Sequence, residues 1–468
     1  MKKAVWTIGM TVAILAIVIH LHGEGTSAED RMLQLLSPDR PYQAVPADVF
    51  GQLGWDLPDG GSSVKALANA APGGAFDPRQ LEKIPSNKLG YRAKWQEEKY
   101  KVYGLDWEIG GLQLTPNQPV AGLPTLVIVH GGSANWYEFY VDLFNNAGLG
   151  QYLAQKVPVM LITIPGNFKF GGWTEHSFDK RVPAYLLHTE ISEKEGKIRN
   201  SVFTFRVVVE GVRRLIEKNT TGPVVVIGHS TGGEIPYLLE GTSLKPRLNG
   251  MFLGWGSGGP AGLDKKMRTE EGVPPQSTRS LLRYSDVANL RGRWPDGDHD
   301  ETYVKSKYIG PLNPCKGSDA AEVARCWFRQ EERRRPQFKQ ELQDAEHTAG
   351  VDAARDSIEK GIRAALADNE YGVKPDEVVA DLFSTNNSPV TGYKKMLWMA
   401  GRLDNGHWND KDPDRAGDLR VANQFRKLNP QATIRVAFFD LPMTHYGHIE
   451  KPRQLAGAMV AALKWLVQ

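Results

Sequence analysis

Cysteine is scarce in this chain of 468 residues, which contains only Cys315 and Cys326. Two cysteines are too few for a disulfide-rich scaffold or a four-cysteine zinc site. A large excess of one sign of charge is lacking as well. The chain has 57 lysines and arginines and 54 aspartates and glutamates, which gives a net charge of +3. The two signs are mixed along the chain and form no basic face, so we expect no nucleic-acid partner.

Long apolar runs are missing everywhere except at the N-terminus, and the mean hydropathy of −0.39 excludes a polytopic membrane protein. There, Lys2 and Lys3 precede an apolar run over 4–21, and small residues follow up to Ala28. This order is typical of an export signal, residues 1–28, that is cleaved after its last residue. Because the run is long for a signal core, an uncleaved anchor stays open as the one expected membrane contact. Either reading predicts a periplasmic or extracellular protein, in which we expect the two cysteines to form a disulfide.

The chain that follows the signal alternates strands with helices, with one interruption. Unbroken apolar runs predict strands buried on both faces, and the helical pattern over 205–216 is the clearest between them. Alternation of this kind predicts an α/β fold, a mostly parallel sheet with helices on both faces. The predicted strands are an antiparallel pair, Tyr100–Tyr103 and Leu112–Leu114, and then Leu126–Val129, Val157–Ile164, Val224–Ile227, Met251–Leu253, Met396–Met399 and Ile434–Phe439.

The same patterns divide the chain into segments. Residues 29–93 are rich in proline and glycine and predict an irregular N-terminal arm. Residues 94–260 and 391–468 form the two parts of the α/β core. Residues 261–390, between two core strands, are densely charged and helical in pattern, which predicts a cap inserted into the core.

The sequence Gly228-His229-Ser230-Thr231-Gly232 directly follows a predicted strand and opens an apolar helix. A nucleophile elbow needs this context, because the serine sits on a strained turn at the strand tip and the glycines make room for the backbone. Ser257 lies in a similar sequence, but Trp255 stands where the first glycine should be. We therefore predict Ser230 as the nucleophile.

A serine at its ordinary pKa needs a histidine base that is held by a carboxylate. Asp404 follows one late strand, and His445 and His448 follow the last strand. We favour His445 as the base because it stands nearer the strand tip, and we keep His448 as the competing choice. Backbone N–H groups of Gly132 and Thr231 are the expected oxyanion hole.

In order and rough spacing, four sequence features together resemble the α/β-hydrolase superfamily. They are His130-Gly131-Gly132, the elbow around Ser230, Gly401-x-x-Asp404 and the segment from His445 to Pro452. The resemblance covers about 95–260 and 391–468. It implies a serine hydrolase with Ser230 as nucleophile, His445 as base and acid, and Asp404 as the orienting carboxylate. The superfamily commonly has a Glu five residues after this histidine, and Glu450 fits His445.

One feature departs from the superfamily pattern. Pro236 falls inside the helix expected after the elbow, where a proline removes a backbone hydrogen bond. The course of that helix is therefore open.

Aromatic side chains recur in the loops that follow the predicted strands, and they predict either an aromatic-walled substrate pocket or contacts between cap and core. We expect no metal, because His445 and His448 lack further ligands at sensible spacing, and no cofactor. The candidate pocket residues are Trp136, Tyr137, Trp173, Trp255 and Trp408.

Together these features predict an exported, capped hydrolase that cleaves a carboxylic ester of a small-molecule substrate through an acyl-enzyme. An acyltransferase, or an amide or lactone hydrolase, would use the same three side chains. A non-catalytic binding protein on this fold would usually have lost one of them, and none is missing here.

Overall fold

The structure is a computed structural model that describes residues 26–38, 42–71, 76–131, 135–165, 185–189, 191–250, 315, 317–326, 329, 359–383, 391–404 and 417–468. Its strands are β1 (Tyr42–Val45), β2 (Tyr91–Val102), β3 (Leu105–Pro116), β4 (Thr125–Val129), β5 (Val159–Thr163), β6 (Val224–Gly228), β7 (Leu248–Gly250), β8 (Lys395–Gly401) and β9 (Thr433–Phe439). Its helices are α1 (Ala28–Leu36), α2 (Ala47–Gly51), α3 (Ser62–Ala70), α4 (Ser86–Leu89), α5 (Trp136–Tyr140), α6 (Leu149–Leu153), α7 (Glu193–Ser201), α8 (Phe205–Asn219), α9 (Ile235–Leu239), α10 (Pro375–Phe383), α11 (Gly417–Leu428), α12 (Gly447–Glu450) and α13 (Pro452–Val467).

The strands form a mostly parallel sheet. Six of them lie in the order β2-β3-β5-β4-β6-β7, and three more in the order β1-β9-β8. The pairs β2–β3 and β3–β5 are antiparallel, and every other pair is parallel. Since β7 approaches β8, the two sets follow one another across the molecule. Antiparallel N-terminal strands that continue into a parallel sheet, with helices on both faces, are typical of the α/β-hydrolase fold. The predicted fold class is therefore confirmed.

Apolar strands explain where the core lies. β5 and β6 are buried along their whole length, as expected for central parallel strands. One face of the sheet packs against α13 and α1, and the other against α8. The carboxyl ends of β4, β6, β8 and β9 therefore share one edge, where open α/β sheets bind their ligands.

The antiparallel strands are longer than expected, since β2 and β3 each have 12 residues. Their outer residues alternate between buried and exposed, so their ends lack the continuous apolar run that marked the central strands. The predicted strand at 251–253 lies outside the described residues, and β7 ends at Gly250.

The N-terminal segment differs from the expectation of an irregular arm. It contains α1 to α4, and β1 pairs in parallel with β9 from Tyr42↔Val436 to Val45↔Phe439. Met32 and Leu36, four residues apart, are fully buried on one face of α1. Proline and glycine separate these short elements, which is why the composition suggested a segment without regular structure.

Pro236 is accommodated without a broken helix. The chain leaves the elbow in a short 3₁₀ turn, Thr231–Glu234, and α9 then begins at Ile235. The proline is thus in the first turn of a new helix, where its missing N–H would have no partner in the helix anyway.

Most of the predicted cap lies outside the described residues. Within the described part, Cys315 and Cys326 form a disulfide with Cα atoms 5.5 Å apart, which confirms the predicted pairing. Cys315 is buried in the core together with Ala320, Val323 and Ala324. In the described part of the chain, no helix has the length and apolar character needed to cross a membrane.

Candidate active site

Ser230 occupies the tight turn between β6 and the 3₁₀ turn. Its φ of 53° and ψ of −122° lie in a region that residues with a side chain rarely adopt. Strain of this kind costs about 1–3 kcal/mol and is typical of functional turns. A Cβ on Gly228 would lie 2.1 Å from the carbonyl oxygen of Gly232, and a Cβ on Gly232 would lie 2.5 Å from that of His130. Both positions therefore require glycine, as a nucleophile elbow does.

Asp404 and His445 meet at the tips of two neighbouring strands. The Asp404 carboxylate is fully buried, and its Oδ2 lies 3.4 Å from Nδ1 of the buried His445. The two loops are joined by a hydrogen bond from the Leu403 N–H to the Met443 carbonyl, 3.0 Å long. A proton on Nδ1 that faces the carboxylate leaves the Nε2 lone pair as the basic atom, which is the arrangement a serine nucleophile needs.

The turn after β4 packs against the elbow. A Cβ on Gly131 would come within 2.9 Å of the Ser230 Cβ, so the two segments touch. Thr231 is the first residue of the 3₁₀ turn, and an N–H at the start of a helical turn has no acceptor within that turn. It is therefore suitable as an oxyanion donor. Gly132, the other expected donor, lies outside the described residues.

His229 is a buried neutral imidazole between two other histidines. Its Nε2 donates to the main-chain carbonyl of His445 at 3.0 Å. Its ring centroid is 4.9 Å from that of His445 and 4.5 Å from that of His448. Burial holds the pKa of His229 well below its usual value, and the two neighbouring rings lower that pKa further. The residue before Ser230 therefore binds the loop that carries His445.

His448 has a different carboxylate as its partner. Its Nε2 lies 2.7 Å from Oε1 of Glu138, and both side chains are buried. The imidazole also stacks on Phe139, with centroids 4.4 Å apart and planes at 20°. Of the two competing histidines, His445 is the one that the structure brings to Asp404.

His130 joins the ends of two strands. Its Nδ1 donates to the Gly131 carbonyl at 2.7 Å, and its Nε2 accepts from the Ile164 N–H at 3.2 Å. Because both ring nitrogens are used by backbone groups, the neutral tautomer is fixed. Burial lowers the pKa of His130 to about 4. This histidine is thus structural and has no free nitrogen for proton transfer.

Glu450 holds the loop that carries His445 from the other side. Its Oε1 accepts from the Thr444 N–H at 3.1 Å and from the Thr444 hydroxyl. The Thr444 hydroxyl oxygen in turn accepts from the Tyr446 N–H at 3.2 Å. Burial raises the pKa of Glu450 to about 7 against the opposing effect of these bonds and of Arg325.

The aromatic candidates fall into two groups. Trp136 and Tyr137 are buried in α5 and make edge contacts with Phe76, with centroids 5.8 and 5.3 Å away, so their contacts are those of core residues. The other three aromatic candidates, Trp173, Trp255 and Trp408, lie outside the described residues. Ser257, the serine in the similar sequence, lies outside them too.

Sequence reasoning missed Glu138 and His229. The available signal for Glu138 was a single carboxylate inside the aromatic run Trp136-Tyr137-Glu138-Phe139-Tyr140, where a charge is costly unless it is paired.

A metal could be held only by a small set of the described side chains. Glu138, His229 and His448 bring possible ligand atoms within 4.8 Å of one another, all buried. Glu138 thus offers the further ligand atom that could not be identified beside His448 in the sequence. However, the carboxylate already lies at hydrogen-bond distance from the His448 imidazole.

Comparison with known proteins finds no matching family model and no matching curated protein. Among solved structures, an esterase from Thermogutta terrifontis is 14% identical with a TM-score of 0.37, covering 80% of this chain and 100% of its own. A bacterial membrane phospholipase A is also 14% identical with a TM-score of 0.37, covering 100% and 99%. A lipase described as putative, from Acinetobacter baumannii, is 16% identical with a TM-score of 0.34, covering 84% and 97%. Likeness at this level does not carry an activity from those proteins to this chain.

Proposed function

We propose that this protein is a serine hydrolase that cleaves a carboxylic ester through an acyl-enzyme. The observation that carries the proposal is the strained turn at Ser230 together with the buried Asp404–His445 pair, whose loop is bound by His229, the residue before Ser230. In acyl transfer, a strained serine at a strand tip acts as the nucleophile, and a histidine that is oriented by a carboxylate acts as its base.

In the first half of the reaction, the Ser230 hydroxyl oxygen attacks the ester carbonyl while Nε2 of His445 takes the hydroxyl proton. The Asp404 carboxylate stabilises the imidazolium that forms. Backbone N–H groups of Thr231 and Gly132 stabilise the oxyanion of the tetrahedral intermediate. Its collapse breaks the carbon–oxygen bond to the alcohol, which leaves with the proton from His445.

In the second half, His445 takes a proton from water, and the resulting hydroxide equivalent attacks the acyl carbonyl. The carbon–oxygen bond to Ser230 breaks, the serine regains its proton from His445, and the acid is released. An alcohol in place of water would make the same protein an acyltransferase.

Export is part of the proposal. The N-terminal basic and apolar pattern supports it, and so does the Cys315–Cys326 disulfide, because disulfides persist in oxidising compartments.

The test is a fluorophosphonate probe with peptide mapping, followed by a panel of short-chain, long-chain and aromatic esters. We expect label on Ser230 alone, and neither label nor turnover for Ser230→Ala with unchanged thermal unfolding. Ser257→Ala is the matched control and should behave as wild type. Undiminished hydrolysis by Ser230→Ala would refute the assignment, and ester formation with an added alcohol would favour the acyltransferase.

A further inference from the structure

The buried Glu138–His448 pair lies outside the reaction steps above, yet it joins two segments that the reaction needs. Glu138 is in α5, which follows the oxyanion turn, and His448 is in α12, which follows His445. We propose that this pair is a positioning device that holds the histidine base against the oxyanion segment, with His229 packed between. The proposal rests on the proposed hydrolase function and names residues that support it.

The carboxylate end of the pair is firmly placed. Asn135 caps the N-terminus of α5, and its side-chain oxygen accepts from the Tyr137 N–H at 2.8 Å. The Trp136 N–H donates to the Thr163 hydroxyl at the end of β5, 3.1 Å away. Glu138 therefore projects from a short helix that is capped and anchored to the sheet.

From Glu138 a continuous set of contacts leads to the base. The carboxylate binds His448, whose ring contacts His229, and His229 both contacts the His445 ring and donates to the His445 carbonyl. Phe139 covers the other side of the His448 ring. A displacement of His448 would therefore be transmitted to the backbone of the base.

Burial makes the pair sensitive to the loss of either member. A buried polar group without its partner costs far more than the net contribution of the intact bond, so the surrounding side chains would shift. A shift of about 1 Å at a reacting group can lower the rate about 100-fold. Small displacements at this pair should thus be visible in turnover.

The matched variants are Glu138→Gln, which retains an oxygen acceptor for the His448 N–H, and Glu138→Met, which does not. For the methionine variant we expect kcat and the fluorophosphonate labelling rate to fall about 10- to 100-fold with KM nearly unchanged. The glutamine variant should stay within about threefold of wild type, since its acceptor remains. Glu108→Gln is the control, because Glu108 is an equally buried carboxylate in β3 whose partners, Lys99 and the backbone N–H groups of Leu187 and His188, are not residues of the site.

A second measurement does not depend on hydrolase activity. Acylation of His445 by diethyl pyrocarbonate, followed by mass spectrometry, reports how well the buried ring is held. We expect faster modification in Glu138→Met, near wild-type rates in Glu138→Gln and no change in Glu108→Gln. If no ester is cleaved but this pattern holds, the proposed function fails and the positioning role stands.

The double variant Glu138→Met/His448→Phe tests whether the two residues act as one unit. Because each single change already breaks the bond, the double variant should be no slower than the worse single variant. Additive losses, or equal rates for the methionine and wild-type proteins, would overturn the proposal. One equivalent of tightly bound zinc, lost in both Glu138 variants, would also overturn it in favour of a metal site formed with His229.

Discussion

Nδ1 of His445 lies 3.4 Å from Oδ2 of Asp404, although 41 residues separate them along the chain. The contact exists because β8 and β9 are parallel neighbours whose carboxyl ends meet at one edge. Backbone hydrogen bonds between their loops fix the separation of the two side chains.

This contact predicts which histidine is essential. His445→Ala should lower kcat by roughly 10³- to 10⁶-fold, as removal of a triad base does. His448→Ala should cost about 10- to 100-fold, as expected for the positioning role proposed for that residue. Steady-state kinetics on any accepted ester provide the comparison. A dead His448→Ala beside an active His445→Ala would move the base three residues along the chain.

Glu450 should make stability depend on pH. Burial raises its pKa to about 7 from an ordinary 4.5, so the folded state prefers the protonated carboxyl. The contribution is full below pH 4.5, declines as the pH rises through 7, and amounts to about 3 kcal/mol over that window. Glu450→Gln keeps an acceptor for Thr444 and lacks the ionisation.

The measurement is urea unfolding of wild type and Glu450→Gln at pH 5, 6, 7 and 8. The variant should gain in free energy of unfolding relative to wild type as the pH increases. A difference that stays constant across this range would show that Glu450 does not titrate there.

The disulfide should stabilise the chain through the unfolded state. Cys315 and Cys326 are 11 residues apart, and closing a loop of that size contributes about 3 kcal/mol in the chain-entropy model. Replacing both by serine should lower the free energy of unfolding by about this amount. Two free thiols in the mass of the unreduced protein would contradict the bond itself.

Gly228, the first glycine of the elbow, should not tolerate a methyl group. In Gly228→Ala the new Cβ would clash with backbone atoms of the 3₁₀ turn. We therefore expect that Ser230 is no longer labelled and that the free energy of unfolding falls by about 4 kcal/mol, which is large for a single substitution. Gly361→Ala is the control, because its Cβ would meet nothing within 4 Å and it lies in helical residues 359–366. That change should be neutral or stabilise by up to about 1 kcal/mol.

The sequence was sufficient for the central strands and for the elbow, because both are encoded locally. The strands β4 and β6 follow from continuous apolar runs, and Ser230 from glycines two residues on either side. The partner of His448 could not be found this way, because Glu138 is 310 residues away and only the fold brings the two together. The same applies to β1, whose four residues carry too little pattern to identify a strand.

The pairing of β1 with β9 has a consequence for assembly of the protein. Its partners Tyr42 and Val436 are far apart along the chain, so this edge of the sheet is completed only after β9 has been synthesised. Without β1, β9 would present unpaired N–H and C=O groups, which are a template for pairing with another chain. Loss of the first 45 residues should therefore promote self-association, even though no residue of the proposed catalytic site is removed.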